Sequence, residues 1–146
     1  MSLSVKVVAP ASPEVTWSCW TDIGAWPRWN PMCTSATLSG PLSPGTELEL
    51  ELVHPRGRGR TFYTRPHLVA VEPYERIAWE ATGPGLSVAT ETTLGAQPDG
   101  TLVTLTSSTT GRMSFSMRMV ALGDRVLGRL YAAMLNALVA ELRKPA

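Results

Sequence analysis

Tyr63, Arg65 and His67 stand two residues apart, so a regular strand puts their phenol, guanidinium and imidazole on one face, together with Val69 and Val71. Such a row can orient a polar ligand group, and a histidine within it can move a proton. Pro66 interrupts the row and predicts a bulge able to reverse which side chains point inward. Glu80 and Glu91 are the alternative acid–base residues, although their parity, opposite to Trp79 and Thr92, turns them toward solvent. The other histidine, His54, falls at a strand end beside Pro55. Neither histidine has a cysteine or carboxylate at metal-ligand spacing, so no metal and no cofactor are expected. Cys19 and Cys33 read as reduced, buried small hydrophobes and not as a disulfide framework. The basic run from Arg56 to Arg60 could meet an anionic head group or RNA, but without interleaved aromatics it reads as a solvated hairpin tip. It lacks the Lys and Ser or Thr of a phosphate-cradling loop, and no Gly-x-Ser-x-Gly elbow offers a nucleophile. Trp17, Trp20, Trp26 and Trp29 form either an aromatic mouth for an apolar ligand or a packing plug.

The elements that must position these groups follow from periodicity. Ser2 to Ala9 alternates as a strand and stops at Pro10. Ser12, Pro13 and Glu14 supply a cap, a first-turn proline and a first-turn acid for a helix to about Trp20. A second short helix is expected from about Asp22, with a turn at Asn30-Pro31. From Cys33 the pattern has period two: Cys33 to Leu38, Thr46 to His54, Thr61 to Val71, Arg76 to Ala81, Ser87 to Leu94 and Thr101 to Thr109. The clearest alternation sets Leu48, Leu50 and Leu52 against Glu47, Glu49 and Glu51. From about Phe115 to Arg143 there is no proline, and Leu127, Tyr131, Met134, Leu138 and Leu142 recur at helical spacing as one apolar stripe. Gly123 and Gly128 weaken that helix and predict a bend or break near them. A twisted antiparallel sheet wrapped around one long helix is the architecture this order implies, within a single domain over 1–146.

Composition narrows the partners. The chain has 146 residues, 44% of them hydrophobic and 17% charged, with a formal net charge of +1. That is apolar enough for a sizeable core, and too evenly charged for nucleic acid to be the main partner. The apolar run from Leu130 to Ala140 is far shorter than the roughly 20 residues of a membrane span, so no stable membrane insertion is expected. The opening MSLSVKVVAP lacks the pattern of a signal peptide, which points to a cytoplasmic protein. Oligomeric state is not legible.

The opening stretch VVAPASPEVTWSCWTDIGAWPRWNP resembles the SRPBCC superfamily, which includes START lipid-transfer domains, polyketide cyclases and the birch-pollen-allergen fold. The matching phrases are Ala9-Pro10, Val15 with Trp17, Thr21-Asp22 and the turn from Trp26 to Pro31. Further ones are Gly40-Pro41-Leu42 with Gly45-Thr46, Val71-Glu72-Pro73 with Ile77-Ala78-Trp79, and Asp99-Gly100-Thr101 with Val103-Thr104. The resemblance spans nearly the whole chain and implies an α+β helix-grip fold. These phrases lie in turns and packing positions, so they carry fold and not a shared catalytic site.

On that fold, the expected function is binding of a small hydrophobic or amphipathic ligand between the sheet and the C-terminal helix. The expected lining is Leu50, Leu52, Trp79, Val88, Val103, Met113, Phe115, Met117, Tyr131 and Met134, with Tyr63, Arg65 and His67 as polar groups. The resemblance also implies two alternatives. One is a polyketide cyclase or dehydratase-like enzyme, in which one of Tyr63, Arg65 and His67 would act as acid or base. The other is a protein-partner module, which needs an exposed apolar patch where the row Glu47, Glu49 and Glu51 instead puts charge.

Overall fold

The computed structural model describes residues 2–53, 59–83, 86–110 and 114–144, with side chains described for 3–53, 59–82, 87–110 and 128–144. Strand β1 (Ser2–Ala9) leads into α1 (Pro13–Thr21), a single 3-10 turn (Ile23–Ala25) and α2 (Trp26–Trp29). Seven strands follow: β2 (Cys33–Leu38), β3 (Leu48–Val53), β4 (Thr61–Thr64), β5 (His67–Glu72), β6 (Arg76–Gly83), β7 (Leu86–Gln97) and β8 (Gly100–Thr110). The long helix α3 (Ser114–Leu142) closes the fold.

Local chemistry sets the entry to this frame. Ser12 caps α1, its Oγ accepting the Val15 N–H at 3.2 Å, and Pro13 needs no donor at the first helical position. At the other end of the Trp-Pro turn, Asn30 is 1% exposed and its Oδ1 accepts the Met32 N–H at 3.1 Å. The Asn30 carbonyl accepts from Cys33 at 3.1 Å, so this one residue turns the chain from α2 into β2.

The strands form an antiparallel five-stranded sheet in the order β1-β8-β7-β6-β5 and a three-stranded sheet in the order β2-β3-β4. A bridge between Glu47 and His67 joins them, reinforced by Leu48 N–H to the Pro66 carbonyl at 2.8 Å and Leu68 N–H to the Thr46 carbonyl at 2.8 Å. The expected single strand from Thr61 to Val71 is therefore two. Pro66 cannot donate to a ladder, and the chain changes sheets there, with β4 serving β3 and β5 serving β6.

One face of this curved surface is apolar. Leu48, Leu50 and Leu52 are buried while Glu47 and Glu49 are exposed, as alternation demands. On β8 the buried set is Thr101, Val103, Leu105 and Ser107. Helix α3 presses Leu130, Met134, Leu135 and Leu138 into that face, each at most 4% exposed. It runs as one helix through Gly123 and Gly128, where a bend or break was expected, so no break occurs there. A Cβ at Gly128 would stand 3.5 Å from the Leu3 side chain of β1, an ordinary van der Waals contact, so packing against β1 does not demand glycine there. The fold is α+β and of the helix-grip kind.

Candidate functional site

The grip leaves a gap. A cavity of about 280 Å³ lies between the two sheets and α3. Its walls are Leu50 and Leu52 of β3, Phe62 and Thr64 of β4, and Pro66 at the crossing between sheets. The five-stranded sheet contributes Trp79 and Ala81, Val88 and Thr90, and Leu105, Ser107 and Thr109. Leu130, Tyr131 and Met134 of α3 and Trp26 of α2 complete the lining. The sheet side has two cross-strand rows: Thr90 pairs with Trp79 on one side and Ser107 on the other, and Val88 likewise with Ala81 and Thr109.

Trp26 ties the cavity to the tryptophan cluster. It is fully buried, its Nε1–H donates to the Trp20 carbonyl at 2.8 Å, and its ring lies 4.8 Å from Trp20 and 6.0 Å from Trp79. Such pairs contribute ~0.5–1.5 kcal/mol each beyond their burial. The cluster is thus a packing plug, and the Trp26 ring also forms part of the cavity wall.

Six residues expected in the lining are found there: Leu50, Leu52, Trp79, Val88, Tyr131 and Met134. Val103 is instead wholly buried in the core between Val7 and Leu94, away from the cavity. Met113 lies outside the described residues, as do His54, Arg56 and Arg58 and the side chains of Phe115 and Met117.

The polar row is corrected. Tyr63, Arg65 and His67 do share a face, but it is the outer one: all three are exposed, Tyr63 at 79%. The inward residues are the even-numbered Phe62, Thr64, Pro66 and Leu68. Val71 packs against the core because the β5–β6 ladder shifts register between Leu68 and Ala70, which leaves Val69 42% exposed. The bulge sits at Val69 and not at Pro66, so the inward position of Val71 says nothing about Tyr63 to His67. Outside, Arg65 Nε stands 3.8 Å from Glu49 Oε1. Glu51 accepts from the Thr34 hydroxyl and from Thr61 Oγ1 at 3.2 Å, and a hydrogen bond links it to Tyr63. These hydroxyls, Thr34 first, hold the Glu51 carboxyl below its ordinary range, and the same carboxylate raises Tyr63.

Glu80 accepts from Ser87 at 2.9 Å, and Glu91 takes Arg76 Nε at 2.8 Å while Glu72 takes Nη1 at 2.7 Å, so neither acid reaches the cavity. Cys19 and Cys33 carry no disulfide. Burial pushes the Cys19 thiol up to about 11, with Glu141 and Asp22 adding to the rise, and burial also raises Cys33. Among the described residues, no group of three or more His, Cys, Asp or Glu could hold a metal, and no helix is long and apolar enough to cross a membrane.

The lining residues missed by sequence reasoning follow its own rules. Ser107 and Thr109 continue the parity of Val103 and Leu105, Thr90 continues that of Val88, and Leu130 precedes Met134 by one helical turn. Polarity hid Thr90, Ser107 and Thr109 within an apolar pattern, whereas Leu130 is apolar and its helical spacing from Met134 was the signal that could have found it.

The family model for polyketide cyclase / dehydrase and lipid transport proteins matches residues 1–143. The chain belongs to this family. No curated protein matches the sequence significantly. Among solved structures, the Zhui aromatase/cyclase from Streptomyces sp. R1128 superposes with a TM-score of 0.79 at 16% identity, over 97% of this chain and 93% of that one. A START superfamily protein from Mycobacterium smegmatis gives 0.76 at 18% identity, over 97% and 96%. The di-domain aromatase/cyclase StfQ from the steffimycin biosynthetic pathway gives 0.78 at 12% identity, over 95% of this chain and 50% of that one. The chain thus spans about half the length of the di-domain protein. At these identities the likeness establishes the family's helix-grip fold and leaves activity to the site itself.

Proposed function

We propose that the protein binds a small hydrophobic or amphipathic molecule in the cavity beneath α3, as a carrier or sensor. The observation that carries this reading is the cavity: about 280 Å³ walled mainly by carbon, with Leu50, Leu52, Phe62, Trp79, Val88 and Met134 around it. That volume is close to the lower end of the roughly 300–1,000 Å³ usual for small-molecule sites. The family description, which names lipid transport beside cyclisation and dehydration, is compatible with it. Met134 adds a side chain able to adapt to different ligand shapes.

The aromatase/cyclase neighbours favour a second reading, in which the cavity folds a polycarbonyl chain and moves a proton. Among the described lining residues only Tyr131 has a titratable side chain, so this reading rests on Tyr131 as the proton donor. A single phenol beside a carbon-walled space supports binding over acid–base catalysis.

Intact mass spectrometry of natively purified protein, before and after organic extraction, tests the proposal, together with titration by the neutral fluorescent probe N-phenylnaphthylamine. A stoichiometric extractable molecule, or saturable probe binding by the extracted protein, is the expected result. Protein that carries nothing and fails to bind the probe overturns the proposal.

A further inference from the structure

Thr90 and Ser107 face each other across the β7–β8 ladder and are 7% and 8% exposed. Both line the cavity, and neither hydroxyl has a hydrogen-bond partner among the described residues. Thr64 from the three-stranded sheet and Tyr131 from α3 bring two more such hydroxyls to the same space. Both residues are more than nine-tenths buried, and their unpaired hydroxyls open on the carbon-walled cavity, where a ligand atom that excludes water has to take over their hydrogen bonds. The described lining carries no charged side chain.

We propose that Thr90 and Ser107 form a recognition point for one uncharged oxygen, a ketone or hydroxyl, on an otherwise apolar ligand, and that the cavity rejects carboxylates. This rests on the ligand-binding reading above and narrows its ligand class. A carbonyl oxygen accepts from both hydroxyls; a ligand hydroxyl accepts from one and donates to the other. An apolar ligand without oxygen displaces water and leaves both hydroxyls unsatisfied, so it binds less tightly than a matched ketone. A carboxylate gains the same hydroxyl donors but loses its hydration with no counter-charge in the described lining, and desolvation of a charge outweighs hydrogen bonds from neutral hydroxyls.

Calorimetric titration of the extracted protein with acetonaphthone, ethylnaphthalene and naphthoate, all substituted at the same ring position, separates these effects. The three share one ring system and differ in the oxygen and the charge. The ketone is expected to bind roughly threefold to tenfold more tightly than the hydrocarbon, the range of one net hydrogen bond. Naphthoate is expected to bind more than about tenfold more weakly than the ketone. Thr90→Val and Ser107→Ala, each confirmed folded by its urea midpoint, should lower ketone affinity while leaving hydrocarbon affinity in place or raised. Equal binding of ketone and hydrocarbon, naphthoate binding as tightly as the ketone, or ketone preference surviving in both variants refutes the recognition point while the binding reading stands. If none of the three binds and N-phenylnaphthylamine also fails, both proposals fall.

Discussion

Filling the cavity from its sheet wall should abolish binding without unfolding the protein. Ala81 on β6 lines the cavity in a row with Val88 and Thr109. Ala81→Phe adds roughly 100 Å³ of ring at interior packing density, more than a third of the roughly 280 Å³ available. Two terms then oppose each other in stability. Burying a phenylalanine side chain contributes ~1.5–3 kcal/mol, and imperfect accommodation costs ~1–3 kcal/mol. They cancel to within about 2 kcal/mol, so the protein should stay folded and its urea midpoint move by no more than about 1 M. Affinity has no such compensation. One methylene of misfit in an apolar site costs ~1–3 kcal/mol, and a whole ring should weaken N-phenylnaphthylamine binding by at least about tenfold. Fluorescence titration read beside urea denaturation checks both halves. An Ala81→Phe protein with an unchanged midpoint and unchanged probe affinity would show that the probe binds elsewhere and that this cavity is not the site.

Two further outcomes test the frame around the cavity. Gly100 closes the β7–β8 hairpin at φ +143°, and a Cβ there would overlap the Ala9 carbonyl oxygen, a backbone atom that cannot swing aside. Gly100→Ala should therefore cost ~2–4 kcal/mol, combining backbone strain with overpacking; a urea midpoint equal to that of the parent would contradict it. Glu51, held below its ordinary range by Thr34, Tyr63 and Thr61, has a folded pKa lower than its unfolded one. It thus adds stability above the unfolded pKa, and that addition is lost as pH falls through the folded pKa. Urea midpoints between about pH 3 and 6 should fall less steeply toward acid in Glu51→Gln than in the parent; an equal or steeper fall would show that Glu51 is not a source of the acid sensitivity.

Much of the frame was legible because local rules and tertiary demands agree. Ser12 and Pro13 open α1 where capping chemistry says they should. The Leu48, Leu50 and Leu52 row faces the core because period two admits no other register. Tyr131, Met134 and Leu138 meet the sheet side because helical spacing puts them on one stripe. The same parity logic failed over Thr61 to Val71, where one strand was expected and two stand in different sheets. A single bulged residue, Val69, reverses the face, and nothing in the side-chain pattern distinguishes a bulge at Pro66 from one three residues later.

By itself the sequence determined the order of elements, the apolar faces they present and the α+β grip that joins them, since these follow from spacing, caps and turn residues acting over a few positions. Tertiary structure alone decided that the grip leaves a cavity, that Tyr63, Arg65 and His67 stand outside it, and that Thr90 and Ser107 meet within it as an unpaired hydroxyl couple. A void is the difference between the curvature of two joined sheets and the bulk of the side chains placed between them. That difference depends on contacts far apart in the chain, and local periodicity carries no record of it.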